Sequence, residues 1–464
     1  MAPAPSHGGS FRVLRTARVT PSSPAGDAVL PERALPLTFM DAIWLCQPYP
    51  VERVFFYLLG PGADVVDVVL SRLADSLSLA LHAFYPLAGR VRLTPSKTNR
   101  YELFYQPGDG VAFTVAEHDG VDVDELATDH PREAEMLALF VPKLPEGGAV
   151  LAVQATVLLP SRRGLALGVT VHHAACDGAS STHFLHTWAA ACAGVATPPP
   201  PPVISRTFIH EREDIYDSFA TRLQNQQTGS KPPDVVGKLF ATFTLSRENL
   251  QSVKDIWNGD AARRGVPPPR CTSIVAMFSV IWQCFHRATP GSEAAEAEPD
   301  CNSQIHLVFP VDLRTRLEPR VPDKYLGNCI GGCFASAQKK ELIAVGVDGL
   351  IAACSAVAAA IEEATRYDPD YWKSVGERSK EVFNDGPPLT VAGSPRFRVY
   401  DVDFGFGRPA KVEIVSVAKT GAIAVAEGRG SSGGIEVGIA LPLDRMETFR
   451  RCFVDAVAWL SSSP

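Results

Sequence analysis

The sequence predicts an α/β or α+β protein folded in two lobes, and three observations carry that expectation. The chain has 464 residues, enough for two or three domains at about 150 residues each. Helix-like and strand-like segments are mixed in both halves, without the regular strand–helix–strand alternation of a parallel sheet. Near the middle stand five successive prolines, Pro198 to Pro202. Such a run cannot donate backbone hydrogen bonds and stiffens into an extended spacer.

Composition narrows the class. Apolar residues make up 46% and charged residues 20%, which permits a large core and excludes wholesale disorder. Lys and Arg number 44 against 51 Asp and Glu, a net charge of −7; a nucleic-acid binder would normally show a basic balance. No stretch of about 18 uninterrupted apolar residues occurs, so a soluble protein without a membrane helix is expected. The ten cysteines include no CxxC pair, and Cys329 and Cys333 are the closest two. A zinc knuckle is therefore poorly supported. Most cysteines sit among apolar neighbours, as Cys284 does, and read as small reduced core residues of a cytosolic protein.

The elements follow in order. Arg12, Arg15 and Arg18 precede the first acidic residue, Asp27. That pattern is either a transit-like leader or an ordered first strand, Phe11 to Val19, after a short loose leader. Leu70, Leu73, Leu77, Leu81 and Phe84 form one apolar stripe of a helix over 66–85. Pro86 ends it, and Leu87-Ala88-Gly89-Arg90 leads into a strand. Segments 151–159 and 165–173 read as a hairpin of two buried strands. Beyond Asp177-Gly178 the chain turns helical and stops at Gly194. The prolines and the polar run from Glu211 make a crossover over 198–235, between an N-terminal lobe 1–197 and a C-terminal lobe 236–464. Residues 291–300 read as an acidic surface loop. Thr272 or Ser273 caps a helix through Cys284. A strand over 305–314, an Ala-rich helix near 341–366 and strands near 397–403, 411–417, 421–427 and 435–440 complete the chain.

The chemistry concentrates at Val171-His172-His173-Ala174-Ala175-Cys176-Asp177-Gly178. Adjacent strand residues point to opposite faces, so only one of the two histidines can face a given cleft. A histidine at a strand end is well placed as a general base, because its ordinary pKa lies near neutrality. The following Asp can lock the turn or orient the imidazole. By itself an HxxxD spacing is common, and a satisfied core histidine explains it as well. His183 and His186 form an HxxH pair without a suitable third ligand, so no metal site is expected. A second segment, Tyr400 to Pro409, alternates glycines with aromatics around Asp403 and makes a tight loop, not a phosphate-binding GxGxxG.

Together these segments resemble the BAHD plant acyltransferases, which carry HxxxDG near the middle and DFGWG nearer the C-terminus. The counterparts here are His173–Gly178 and Asp403-Phe404-Gly405-Phe406-Gly407. Leu37-Thr38-Phe39-Met40-Asp41 and Phe84 to Arg90 are similar to further signatures of the family. Tyr325-Leu326-Gly327-Asn328-Cys329 resembles the YFGNC element of the clade that acylates anthocyanin and flavonoid glycosides. The resemblance implies an α/β, two-lobed, chloramphenicol-acetyltransferase-like fold. Each lobe would be a mixed sheet flanked by helices, with the active-site channel between them.

It also implies an acyl-CoA-dependent O-acyltransferase that needs no metal or cofactor beyond the acyl-CoA co-substrate and acts as a cytoplasmic monomer. The acceptor would be a sugar hydroxyl of a flavonoid, anthocyanin or other phenolic glucoside. His173 would be the general base and Asp177 its supporting residue, paired with Arg314. Asp403, Phe404, Gly405, Phe406 and Gly407 would shape the acyl-donor region. Two departures stand out. Phe406 replaces the usual Trp, and Ala179 stands where several malonyl-transferring members place a cation. Malonyl remains the first donor expected, with hydroxycinnamoyl the runner-up. Arg263, Arg264, Arg270 and Thr272 are the candidate CoA-binding residues, since a helix N-terminus favours anions. A silent binding protein of the same fold is the alternative, which the presence of His173 and Asp177 opposes. A hydrolase lacks a GxSxG elbow, and Cys176 reads as a spacer rather than a nucleophile.

Overall fold

Two buried, mostly apolar strands organise the first half of the chain. The computed structural model describes residues 9–23, 26, 29–46, 49–61, 65–225, 235–265, 269–289, 303–367, 370–430 and 433–462. The expected leader before residue 9, the loop 291–300 and the end of the crossover lie outside the described residues. The strands Leu151–Leu158 and Gly164–Val171 pair antiparallel as the predicted hairpin and are buried throughout. Burial on both faces explains why neither shows polar alternation. Across their sheet the order is Phe11–Val19, Val111–His118, Leu151–Leu158, Gly164–Val171, Val51–Leu58 and Lys411–Ile414. Phe11–Val19 is thus an ordered edge strand, paired with Val111–His118.

The helix Val65–Ala83 buries Leu70, Leu73, Leu77 and Leu81, the stripe read from the sequence. It packs on the helix Gly178–Ala193, whose Trp188 indole donates to Leu73 O and Ser76 Oγ at 3.1 Å each. That second helix ends at Gly194 in the left-handed conformation (φ 67°), which glycine adopts without steric cost.

The chain packs as two compact units: residues 1–234, 318–329 and 397–420 in one, and 235–317, 330–396 and 421–464 in the other. This differs from a simple N-terminal and C-terminal division. Segments Tyr325–Cys329 and Asp403–Gly407 were expected in the C-terminal lobe, yet both belong to the first unit. Strand pairing and buried charge hold them there. Lys411–Ile414 adds antiparallel to Val51–Leu58, and the buried Glu413 meets Arg132 at 2.5 Å. Leu326 N–H donates to Val203 O just past the prolines.

Two local expectations also change. The crossover carries a helix, Glu213–Asn225. Residues near 397–403 form two 3₁₀ turns, Pro395–Phe397 and Val399–Asp401, instead of a strand. Arg398 between them sits at φ 54°, a conformation that breaks an extended run.

In the second unit the strand order is Ile330–Gln338, Gln304–Asp312, Leu389–Gly393, Ile423–Glu427, Ile435–Pro442 and Lys238–Leu245. The helix Ser273–Arg287 is buried from Val275 through Cys284 and packs against Val347–Thr365, the Ala-rich helix. Among the described residues no helix is long and apolar enough to cross a membrane.

Candidate active site

The site begins where the strand Gly164–Val171 ends. His172 N–H still continues the sheet by donating to Val150 O at 2.8 Å, and Ala175 N–H returns to His172 O. The chain thus turns immediately after the strand and sends the two histidines apart. His172 Nδ1 accepts the Ala174 N–H at 3.1 Å. Burial and the neighbouring His173 push its pKa down to about 4, so it is a neutral, structural residue at ordinary pH.

His173 has different surroundings. Its Nδ1 lies 3.1 Å from Asn328 Oδ1. Asn328 is fully buried, and its Nδ2 donates to Asp41 Oδ1 and to His173 O, both at 2.9 Å. Those two acceptors fix which end of the amide is nitrogen, so Oδ1 must face the imidazole. His173 Nδ1 therefore carries the proton, and Nε2 presents its lone pair. The network extends to Asp41, which also accepts the Asn328 backbone N–H and both donors of Thr38. Arg206 lies 3.9 Å from the same carboxylate. Burial lowers the pKa of His173, opposed by its own backbone, Asp177, Asn328 and Asp41. A lowered pKa keeps the imidazole neutral and basic at pH 7.

Trp44 covers one face of this ring, with centroids 3.6 Å apart and planes 13° from parallel. It lies in the turn Ile43–Cys46, directly after the Asp41 segment.

Asp177 works on backbone. Its Oδ1 accepts Ser180 N–H at 2.9 Å as the N-cap of the helix Gly178–Ala193, and Oδ2 accepts Cys329 N–H at 3.1 Å. Ser180 Oγ donates to Tyr325 O and approaches Gly327 O. The HxxxDG loop and the YLGNC segment are thereby one hydrogen-bonded piece. Gly178 has a packing reason: a Cβ there would stand 2.6 Å from the Phe397 ring. Arg314 lies in the second unit, where it pairs with Asp312 at 3.3 Å.

The Asp403–Gly407 loop belongs to the first unit. Asp403 Oδ1 accepts the N–H groups of Gly405 and Gly407 at 2.7 and 3.0 Å, and those glycines sit at φ 89° and 109°. Phe404 is buried edge-on to Trp188, and Phe406 meets Tyr57 edge-on at 5.1 Å. Tyr57 in turn donates to Val402 O. Arg72 ties Cys192 O and Phe404 O together.

His183 and His186 each bond a carbonyl oxygen, of Pro200 and Phe397 respectively. Among the described residues no group of three or more His, Cys, Asp or Glu side chains could hold a metal ion. In the second unit Thr272 caps the helix Ser273–Arg287 by accepting Val275 N–H. Arg263 and Arg264 both pair with Asp260, and Arg270 is exposed. Lys254 Nζ reaches Ser273 Oγ at 2.9 Å, a cation at this helix start that the sequence reading did not include.

Comparison with known proteins agrees with this geometry. Residues 11–455 match the model of the transferase family. The chain belongs to that family, the BAHD acyltransferases. Among its relatives are the coumaroyl-CoA:anthocyanidin 3-O-glucoside-6''-O-coumaroyltransferase 1 of Arabidopsis thaliana, 30% identical over 94% of this chain and 96% of that one. The phenolic glucoside malonyltransferase 1 of the same plant is 31% identical, with the same two coverages. The crystal structure of vinorine synthase shares the fold with a TM-score of 0.69 at 20% identity, covering 95% and 96% of the two chains. The BAHD chain is therefore an acyltransferase with a mixed-sheet, helix-flanked α/β fold in two units.

Asn328, Asp41 and Trp44 were not singled out as site residues from sequence. Asn328 and Asp41 did lie inside quoted signatures, and both are polar residues set among apolar ones. That is the signal of a buried network whose partner is not evident from sequence.

Proposed function

We propose that this BAHD enzyme transfers an acyl group from a CoA thioester to a sugar hydroxyl of a flavonoid, anthocyanin or other phenolic glucoside, with malonyl favoured. The observation that carries the reading is the contact of His173 Nδ1 with Asn328 Oδ1 at 3.1 Å, which assigns the proton to Nδ1 and leaves the Nε2 lone pair to act as base. Nε2 removes the proton from the acceptor hydroxyl as its oxygen attacks the thioester carbonyl. The tetrahedral oxyanion collapses, the C–S bond breaks, and the imidazolium returns the proton to the departing CoA thiolate. General-base assistance of this kind contributes about 10²–10⁴-fold. Asp177 holds the loop that aims the ring, with Arg314 proposed as its ionic partner, and Asp403 keeps the shape of the DFGFG loop. Arg263, Arg264, Arg270 and the N-terminus capped by Thr272 are proposed to receive CoA phosphates. The enzyme is read as a cytoplasmic monomer that needs no metal; the described cysteines, which are free thiols and mostly buried, support a reducing compartment.

Ala179 favours a second reading, in which hydroxycinnamoyl-CoA is the donor, because a malonyl carboxylate needs a cation that this position does not supply. The coumaroyl-transferring relative supports it. Competition among malonyl-, acetyl- and coumaroyl-CoA over a panel of flavonoid and phenolic glucosides, read by mass spectrometry, separates the two. Acylation confined to non-phenolic alcohols or amines would defeat both. His173→Ala is expected to abolish transfer, and full activity in that variant would sink the general-base assignment, whereas a native chain that transfers no acyl group from any of these donors would restore the binding-protein alternative.

A further inference from the structure

The stacked indole of Trp44 has a consequence for the proton transfer itself. One short segment supplies two supports to His173. Asp41 acts on the ring edge through Asn328, and three residues later Trp44 lies against the ring face. With Nδ1 anchored and one face covered, the ring cannot rotate about its own axis without breaking both contacts. Nδ1 and one face being committed, Nε2 is the ring nitrogen left to meet substrate.

The stacking geometry adds an electrostatic preference. Two neutral aromatic rings favour offset or edge-on arrangements over a close face-to-face pair. A separation of 3.6 Å at 13° instead suits a cation over an aromatic face, and indole has the strongest such face among the side chains. His173 becomes a cation only when it has taken the acceptor's proton. An interaction stronger in that state than in the ground state accelerates the chemical step instead of merely tightening binding.

We propose that Trp44 is a positioning residue that stabilises the imidazolium of His173 formed during acyl transfer. The inference rests on His173 being the general base. Among the described residues, the other charged or titratable groups around the ring are Asp177, Asp41 with Arg206 beyond it, and His172 next in the chain.

The test is kinetic, on the full-length enzyme with the acyl-CoA and glucoside that it turns over. Trp44→Leu is expected to lower kcat by about 10-fold, with KM for either substrate changed by less than about 3-fold. The acid limb of its kcat/KM profile should move to lower pH by roughly half a unit or more, because the imidazolium loses its aromatic partner. Trp44→Phe keeps a weaker aromatic face and should show smaller changes in the same directions. A kcat loss with the acid limb unmoved in both variants would overturn the assignment, as would unchanged kinetics. If Trp44→Leu does not fold, the Phe variant alone decides, on the same two criteria. These failures leave the base reading intact, whereas an active His173→Ala enzyme would remove it.

Discussion

At the scale of single residues, the site is a matter of which atom holds a proton. Asn328 settles that for His173 by presenting Oδ1 to Nδ1, because its own nitrogen is committed to Asp41 and to a backbone carbonyl. Asn328→Ala should therefore lower kcat by about 10–100-fold with little change in KM, since the ring loses tautomer and orientation rather than substrate contacts. Steady-state kinetics beside a circular dichroism spectrum of native form checks this. The pH behaviour follows from burial. His173 has a lowered pKa, so the acid limb of kcat/KM should fall below pH 6.5, with activity level through pH 7. His172 affects stability instead. Its folded pKa is about 4 against an ordinary 6.5, so the unfolded chain binds the proton more readily between those values. Its contribution is complete above pH 6.5 and declines as the pH drops toward 4. His172→Asn preserves an acceptor for the Ala174 N–H, and its Tm should fall less steeply over that window.

At the scale of elements, the placement of His173 depends on a sharp exit from a strand into a helix. The sequence showed this well: the buried hairpin, the turn at Asp177-Gly178 and the stop at Gly194 all appear where residue chemistry dictates them. Other elements were hidden for a physical reason. The 3₁₀ turns near 395–401 depend on what packs against them, and Phe397 lies directly on Gly178. No local pattern can report a contact between residues 219 positions apart. That contact yields a prediction. Gly178→Ala would drive a Cβ to 2.6 Å from the Phe397 ring, and overpacking of this kind costs about 1–3 kcal/mol. Because Gly178 adjoins Asp177, the strain would also displace the catalytic loop. Both Tm and kcat should fall, and adding Phe397→Ala should recover much of each.

At the scale of the whole molecule, what the sequence could not reveal is that the two units interleave along the chain. The prolines near 198–202 mark a spacer, but no composition shift announces that residues 318–329 and 397–420 return to the first unit. Motifs could be found and ordered, whereas the long-range pairing that groups them could not. The return is fastened by charge inside the sheet edge. Lys411 and Glu413 are almost wholly buried on the strand Lys411–Ile414, and Arg132 meets Glu413 while Lys411 meets Asp129. Breaking a buried ion pair by removing one partner costs about 3–5 kcal/mol, because the remaining charge loses its compensation. Glu413→Ala should therefore destabilise the first unit by that amount and loosen its edge strand. A paired Arg132→Leu with Glu413→Leu removes both charges and should be far milder than either single loss. Thermal unfolding with hydrogen exchange on residues 411–414 distinguishes the cases. If the single variant were as stable as the native chain, the ion pair would not be what returns this segment to the first unit. If the loss were confirmed, the Asp403–Gly407 loop, which immediately precedes that strand, should gain exchange along with it.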